Sequence, residues 1–146
     1  MIDRVDEDQL GGVIRDVLRP RADVWRLWTE PEFIQRWFWA SPEGTEAEFV
    51  PEVGQSWRVV SPNVSVGGQI LEVVPGEKLV FTMRWTGDNH TLEVDIRLLD
   101  DPAGGTTIEI SESGFTSAAE KAEHVAGWEA SLARLSRLPL DGGMQL

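Results

Sequence analysis

Cysteine is absent from the 146 residues. That excludes a disulfide framework, a thiolate zinc site and a cysteine nucleophile. Tyrosine is absent as well, which removes one common general acid and oxyanion donor. Long hydrophobic runs are missing, and the longest apolar stretches are only a few residues, too short to cross a bilayer. The opening Met1-Ile2-Asp3-Arg4-Val5-Asp6-Glu7-Asp8 is acidic and carries no apolar run behind a basic region, so it does not read as a secretory signal. Positive charge is scarce: 13 Lys and Arg stand against 25 Asp and Glu, for a net charge of −12. Such a surface repels nucleic acid and anionic lipid and serves solubility; a basic protein partner is the sharper alternative, and no segment localises it. These absences lead to the expectation of a cytoplasmic protein with no nucleic-acid and no membrane partner.

What is present suits one globular domain. Hydrophobic residues make up 41% of the chain and charged residues 26%, and a chain of this length buries enough surface to need no staples. Seven Trp and five Phe supply the aromatics. No repeat or internal linker interrupts the chain. Residues 9–138 are expected to form the domain, 1–8 an acidic arm, and 139–146 a loose tail, since Pro139 stops a helix.

Periodicity then orders the elements. Leu10 to Arg19 reads as a strand ended by Pro20, with Val13, Ile14, Val17 and Leu18 as its apolar residues. Asp23 to Trp28 reads as a short helix. Thr29 is the expected N-cap of a second, with Pro31 in its first turn and Phe33, Ile34 and Trp37 at helical spacing. Strands follow over Glu46–Val50, Gln55–Val60 and Val64–Val74, with Gly67-Gly68 expected to mark a bulge or a kink. Leu79, Phe81, Met83 and Trp85 alternate with Val80, Thr82 and Arg84, and Leu92, Val94, Ile96 and Leu98 with Glu93, Asp95 and Arg97; Thr106, Ile108 and Ile110 share a face. From Thr116 to Leu138 the period lengthens. Ala118, Ala122, Val125, Trp128, Leu132, Leu135 and Leu138 fit one stripe of a long helix. A hairpin series makes an antiparallel sheet with one face to be covered, and the single long helix can cover it. The expected fold class is α+β: a curved antiparallel sheet of six or seven strands around a long C-terminal helix, with two short helices after the first strand.

Several stretches carry a family resemblance. They are Pro20-Arg21-Ala22-Asp23-Val24-Trp25, then Thr29-Glu30-Pro31-Glu32-Phe33-Ile34-Gln35-Arg36-Trp37, then Val53-Gly54-Gln55-Ser56-Trp57-Arg58. The run from Gly68 to Thr82 follows, then Gly105-Thr106-Thr107, Ser113-Gly114-Phe115 and Gly127-Trp128. In order and spacing, over about residues 10 to 138, they resemble the activator of heat-shock-protein-90 ATPase homologue family, within the START-like (SRPBCC, helix-grip) superfamily. Gln55 stands where the family often has a second Gly, and Arg19 where a small residue often precedes the proline. The resemblance implies a helix-grip fold with a ligand cavity; it does not imply one chemistry, because that superfamily holds carriers, receptors, cyclases and co-chaperone domains.

Few residues speak for chemistry. No Ser-His-Asp order, phosphate loop, paired-carboxylate motif or metal motif is visible. Two separated His without Cys make no metal-ligand spacing, and no cofactor, metal or catalytic residue is assigned. His90 follows a Gly87-Asp88-Asn89 turn and is expected to be exposed. His124 lies one helical turn before Trp128, at the edge of the apolar stripe. Glu112 is in phase with Thr106, Ile108 and Ile110, which places it either on the inner face or at a strand end turned to water. Trp37-Phe38-Trp39 reads either as core or as a pocket lid. The candidate ligand-binding set is Trp37, Trp57, Phe81, Met83, Trp85 and Trp128, with Glu112 and His124 as polar anchors in an apolar pocket. A small apolar ligand bound between sheet and helix ranks first. A partner role toward heat shock protein 90 ranks second, since only about nine residues precede the first strand where chaperone activators of that type carry a further domain. A small-molecule cyclase or hydrolase ranks close behind, and an exposed edge strand leaves a homodimer open.

Overall fold

The computed structural model describes residues 11–139; the expected acidic arm and nearly all of the expected tail lie outside them. Ten elements follow in order: β1 (Gly11–Val17), α1 (Arg21–Thr29), α2 (Pro31–Trp37), β2 (Glu46–Glu48), β3 (Ser56–Val60), β4 (Ser65–Val74), β5 (Lys78–Trp85), β6 (Leu92–Asp100), β7 (Thr106–Ser113) and α3 (Ala118–Arg137). The strands form one seven-stranded antiparallel sheet, in the order β1-β7-β6-β5-β4-β3-β2. This is the α+β helix-grip architecture. Among the described residues no helix is long and apolar enough to cross a membrane.

Local chemistry explains where the boundaries differ from the periodicity. Thr29 does not cap α2. It stays in α1, its hydroxyl donating to the Trp25 carbonyl at 2.8 Å. Glu30 is the cap instead, extended at φ −93° and ψ 121°, because Pro31 pushes the residue before it out of the helical region. Strand β2 ends at Glu48 instead of Val50, and Phe49 turns into the core. The irregularity in β4 falls between Ile70 and Glu72, not at Gly67-Gly68. Gly68 has another reason to lack a side chain: a Cβ there would stand 2.0 Å from the Thr82 carbonyl oxygen. That oxygen also accepts the Trp57 indole N–H at 2.9 Å, so β3, β4 and β5 close tightly here.

One apolar cluster joins the concave sheet face to the helices. It includes Val13, Val17, Phe81, Met83, Val94, Ile96, Ile108 and Ile110 from the strands and Trp128, Leu132 and Leu135 from α3. Ile14 and Leu18, the other apolar residues expected of the first strand, point outward, as the two-residue period of a strand requires. The second half of α3 also serves the end of α2. Ser131 Oγ donates to the Phe38 carbonyl at 2.9 Å, and Arg134 Nε donates to the Trp37 carbonyl at 3.0 Å. These carbonyls lie at a helix C-terminus, where orphan acceptors favour a cationic donor. Arg19 likewise donates to the carbonyls of Ser136 and Leu138 and so fastens the end of α3 to the end of β1.

Candidate functional site

The first half of α3 is less deeply set. The helix starts with a side-chain cap, Ser117 Oγ accepting the Glu120 N–H at 3.0 Å, while Glu120 Oε1 accepts the Thr116 N–H at 2.7 Å. This reciprocal arrangement resembles a capping box. Ala118 and Ala122, expected on the buried stripe, are exposed. A pocket of about 160 Å³ opens beside this half of the helix.

Three stretches line that pocket. Met83 and Trp85 come from the end of β5, Phe38 and Trp39 from the turn after α2, and Glu123, His124, Gly127 and Trp128 from α3. The aromatic rings hold one another edge-on and stacked: Phe38 meets Trp39 at 5.2 Å, Trp128 at 6.2 Å and Trp85 at 6.5 Å between centroids. The walls are therefore fixed by mutual packing, not left loose.

The polar feature of the wall is a buried network. Glu112, the last inward residue of β7, is 1% exposed. Its Oε1 accepts the Trp128 indole N–H at 2.9 Å and its Oε2 lies 3.0 Å from His124 Nδ1. Both carboxylate oxygens are thus satisfied, as a buried charge demands. The His124 ring is flanked edge-on by Phe115 at 5.3 Å and Trp85 at 6.0 Å. Burial penalises its charged form, yet the hydrogen bond and charge of Glu112, with Glu120 and Asp88 farther off, outweigh that penalty and raise its pKa above the ordinary histidine value. With Nδ1 engaged, Nε2 has no partner among the described residues, and it is not among the enclosed unpaired atoms, whereas the unpaired Trp85 Nε1 is.

The eight residues expected at the site separate into three groups. Met83, Trp85, His124 and Trp128 line the pocket. Glu112 stands behind the wall and holds two of them. Trp37, Trp57 and Phe81 surround a different, wholly apolar void of about 20 Å³, room for a single water at most. Of the Trp37-Phe38-Trp39 cluster, read either as core or as a pocket lid, Phe38 and Trp39 line the pocket and Trp37 does not; Glu123 and Gly127 were not expected there. Helical spacing links Glu123 and Gly127 to His124 and Trp128 and could have flagged them.

His90 departs from its expected exposure. It is half-buried, with Nε2 2.6 Å from Glu120 Oε2, and so ties the β5–β6 turn to the start of α3. Asp88, His90 and Glu120 bring ligand-type atoms within 4.8 Å of one another, a grouping that sequence spacing does not reveal. Glu120 is already committed to the helix cap. Burial opposes its charge, but the Thr116 N–H and His90 more than compensate and lower its pKa.

The family model for Activator of Hsp90 ATPase homolog 1-like protein matches residues 19–138. No curated protein matches the sequence. Among solved structures, protein MLL2253 from Mesorhizobium loti is 22% identical, with 94% of this chain and 100% of that chain covered and a TM-score of 0.78. CalU16 from Micromonospora echinospora is 26% identical over 85% of this chain and 71% of that one, with a TM-score of 0.67. DynU16, from the dynemicin biosynthetic locus, is 24% identical with a TM-score of 0.77; the match covers 88% of this chain and 46% of DynU16. The chain therefore spans about half the length of DynU16.

Proposed function

Because this chain belongs to the Activator of Hsp90 ATPase homolog 1-like family, within the START-like superfamily, we propose that it is a small-molecule binding protein whose ligand sits between β5 and the first half of α3. The observation that carries this reading is the aromatic pocket backed by the Glu112–His124–Trp128 network. A fold stabilised only by its core gains nothing from an unfilled apolar space, since a void forfeits dispersion contacts. A network with one nitrogen left open supplies the kind of polar anchor that orients a ligand in an apolar site. The likeness to a protein of a biosynthetic locus favours a small molecule over a macromolecular partner. The proposed binding residues are Phe38, Trp39, Met83, Trp85, His124 and Trp128, with Glu112 as a positioning residue.

The reading is tested by titrating one-ring aromatic compounds while following tryptophan fluorescence and thermal stability. Saturable quenching and a rise in melting temperature with ligand concentration are expected. Trp128→Phe and Gly127→Leu, the latter filling the pocket from the helix, should weaken binding without unfolding the protein. Unchanged affinity in Gly127→Leu would place the ligand elsewhere. A second reading rests on the same network. A histidine oriented by a buried carboxylate and open at Nε2 is suited to proton transfer, so any ligand found is also to be followed for turnover.

A further inference from the structure

Resting on the assignment of this pocket as a ligand site, we propose that the ligand is a single-ring aromatic molecule bearing an uncharged oxygen acceptor, such as an aryl ketone or aldehyde, which receives a hydrogen bond from His124 Nε2. Three observations carry the inference. The first is size. A pocket of about 160 Å³ is close to an engineered cavity of ~150 Å³ that accepts benzene, so one ring fills it and anything larger would project from its mouth.

The second is polarity. Four of the eight lining residues are the aromatics Phe38, Trp39, Trp85 and Trp128, and the polar ones are only Glu123 and His124. With Nδ1 directed at Glu112, Nε2 carries a hydrogen and donates when the ring is protonated, the state that the raised pKa favours as pH falls. It matches an acceptor and leaves a ligand whose only polar group is a donor unmatched.

The third is charge. The imidazolium is already balanced by Glu112 at 3.0 Å. The other charged groups facing it are Glu120 on its own helix and Asp88 from the β5–β6 turn, both acidic, and Glu123 stands at the rim. No net positive field remains to attract a carboxylate. An ammonium group carries only donors, and the protonated ring has no acceptor to offer it.

The test uses four probes of one shape: acetophenone, ethylbenzene, benzoate and benzylammonium, titrated into the full-length protein at about pH 6 and about pH 9, on either side of the histidine range. At the lower pH acetophenone is expected to bind about tenfold more tightly than ethylbenzene, the worth of a charge-assisted hydrogen bond. At the higher pH Nε2 loses its proton and that advantage should shrink, with ethylbenzene unchanged. His124→Phe should equalise the two probes. The pH comparison needs no substitution, so it stands even where that variant folds poorly. Equal affinities of the two probes at both pH values would overturn the acceptor inference while leaving the pocket assignment standing. Tighter binding of benzoate or benzylammonium than of acetophenone would overturn the charge argument. Binding by none of the four would remove the pocket assignment and the inference together.

Discussion

From Trp128 to Leu135, α3 is fastened by burial: Trp128, Ser131, Leu132 and Leu135 are enclosed, and Arg134 adds hydrogen bonds to the end of α2. From Ala118 to Val125 no residue is buried, and the helix is held by Ser117 at its cap and by two histidine–carboxylate pairs, His90–Glu120 and His124–Glu112. One helix therefore has an apolar half and a polar half, and the pocket lies under the polar one. Apolar burial is non-directional and independent of pH near neutrality. Histidine–carboxylate pairing depends on protonation and is easily exchanged for water. The division teaches why a ligand site can open here without loosening the domain.

The comparison breaks first at Leu132. Leu132→Ala removes a fully enclosed side chain and should cost about 3 kcal/mol in urea unfolding, whereas Val125→Ala, half-buried against Gly11 and Phe115, should cost about 1 kcal/mol. Equal losses would mean that the two halves are held alike. Next comes Glu112. Glu112→Leu strips the acceptor from the Trp128 indole and the partner from His124 and should cost about 2 kcal/mol. Glu112→Gln, which still accepts from Trp128, should recover most of that loss; if it does not, the carboxylate's charge and not its hydrogen bonds sets the cost. Ser117→Ala, at the cap alone, should cost about 1 kcal/mol, and hydrogen exchange should then quicken before Val125 and not beyond Trp128.

A finer distinction comes from pH. The His124 pKa is raised in the folded state, so its stabilisation is complete below the unfolded histidine pKa and is lost as pH rises through the folded one. Glu120 is shifted the other way, so its contribution is present above its unfolded pKa and is lost as pH falls through the folded value. Melting temperature should therefore fall as pH rises through the raised His124 pKa, and that fall should vanish in Glu112→Gln. The chain has two histidines, which makes each titration separable by NMR. A His124 resonance that titrates below free histidine would contradict the pairing drawn here.

Much of this architecture was legible in the chain. Alternation over Leu79–Trp85 and Leu92–Leu98 and the lengthened period after Thr116 place the sheet strands and the covering helix. The same alternation left Glu112 either on the inner face or at a strand end turned to water; the strand runs on to Ser113 and Glu112 lies inside. Boundaries were less legible, because a nearest-neighbour effect such as Pro31 acting on Glu30 outweighs the capping preference of Thr29. Inward direction alone did not divide pocket from core: Phe81 and Met83 share one face of β5, yet Phe81 faces the small inner void and Met83 the open pocket.

Periodicity reports which face of an element is apolar, because that face must leave water whatever covers it, and so the sequence alone determined the elements, their inward faces and the need for one covering helix. How closely the cover sits is another matter. It depends on the packing of Trp128, Leu132 and Leu135, far along the chain from β5. Only the tertiary structure decided that Glu112 meets His124 and Trp128, that His90 reaches Glu120, and that the gap left between them opens beside Trp85.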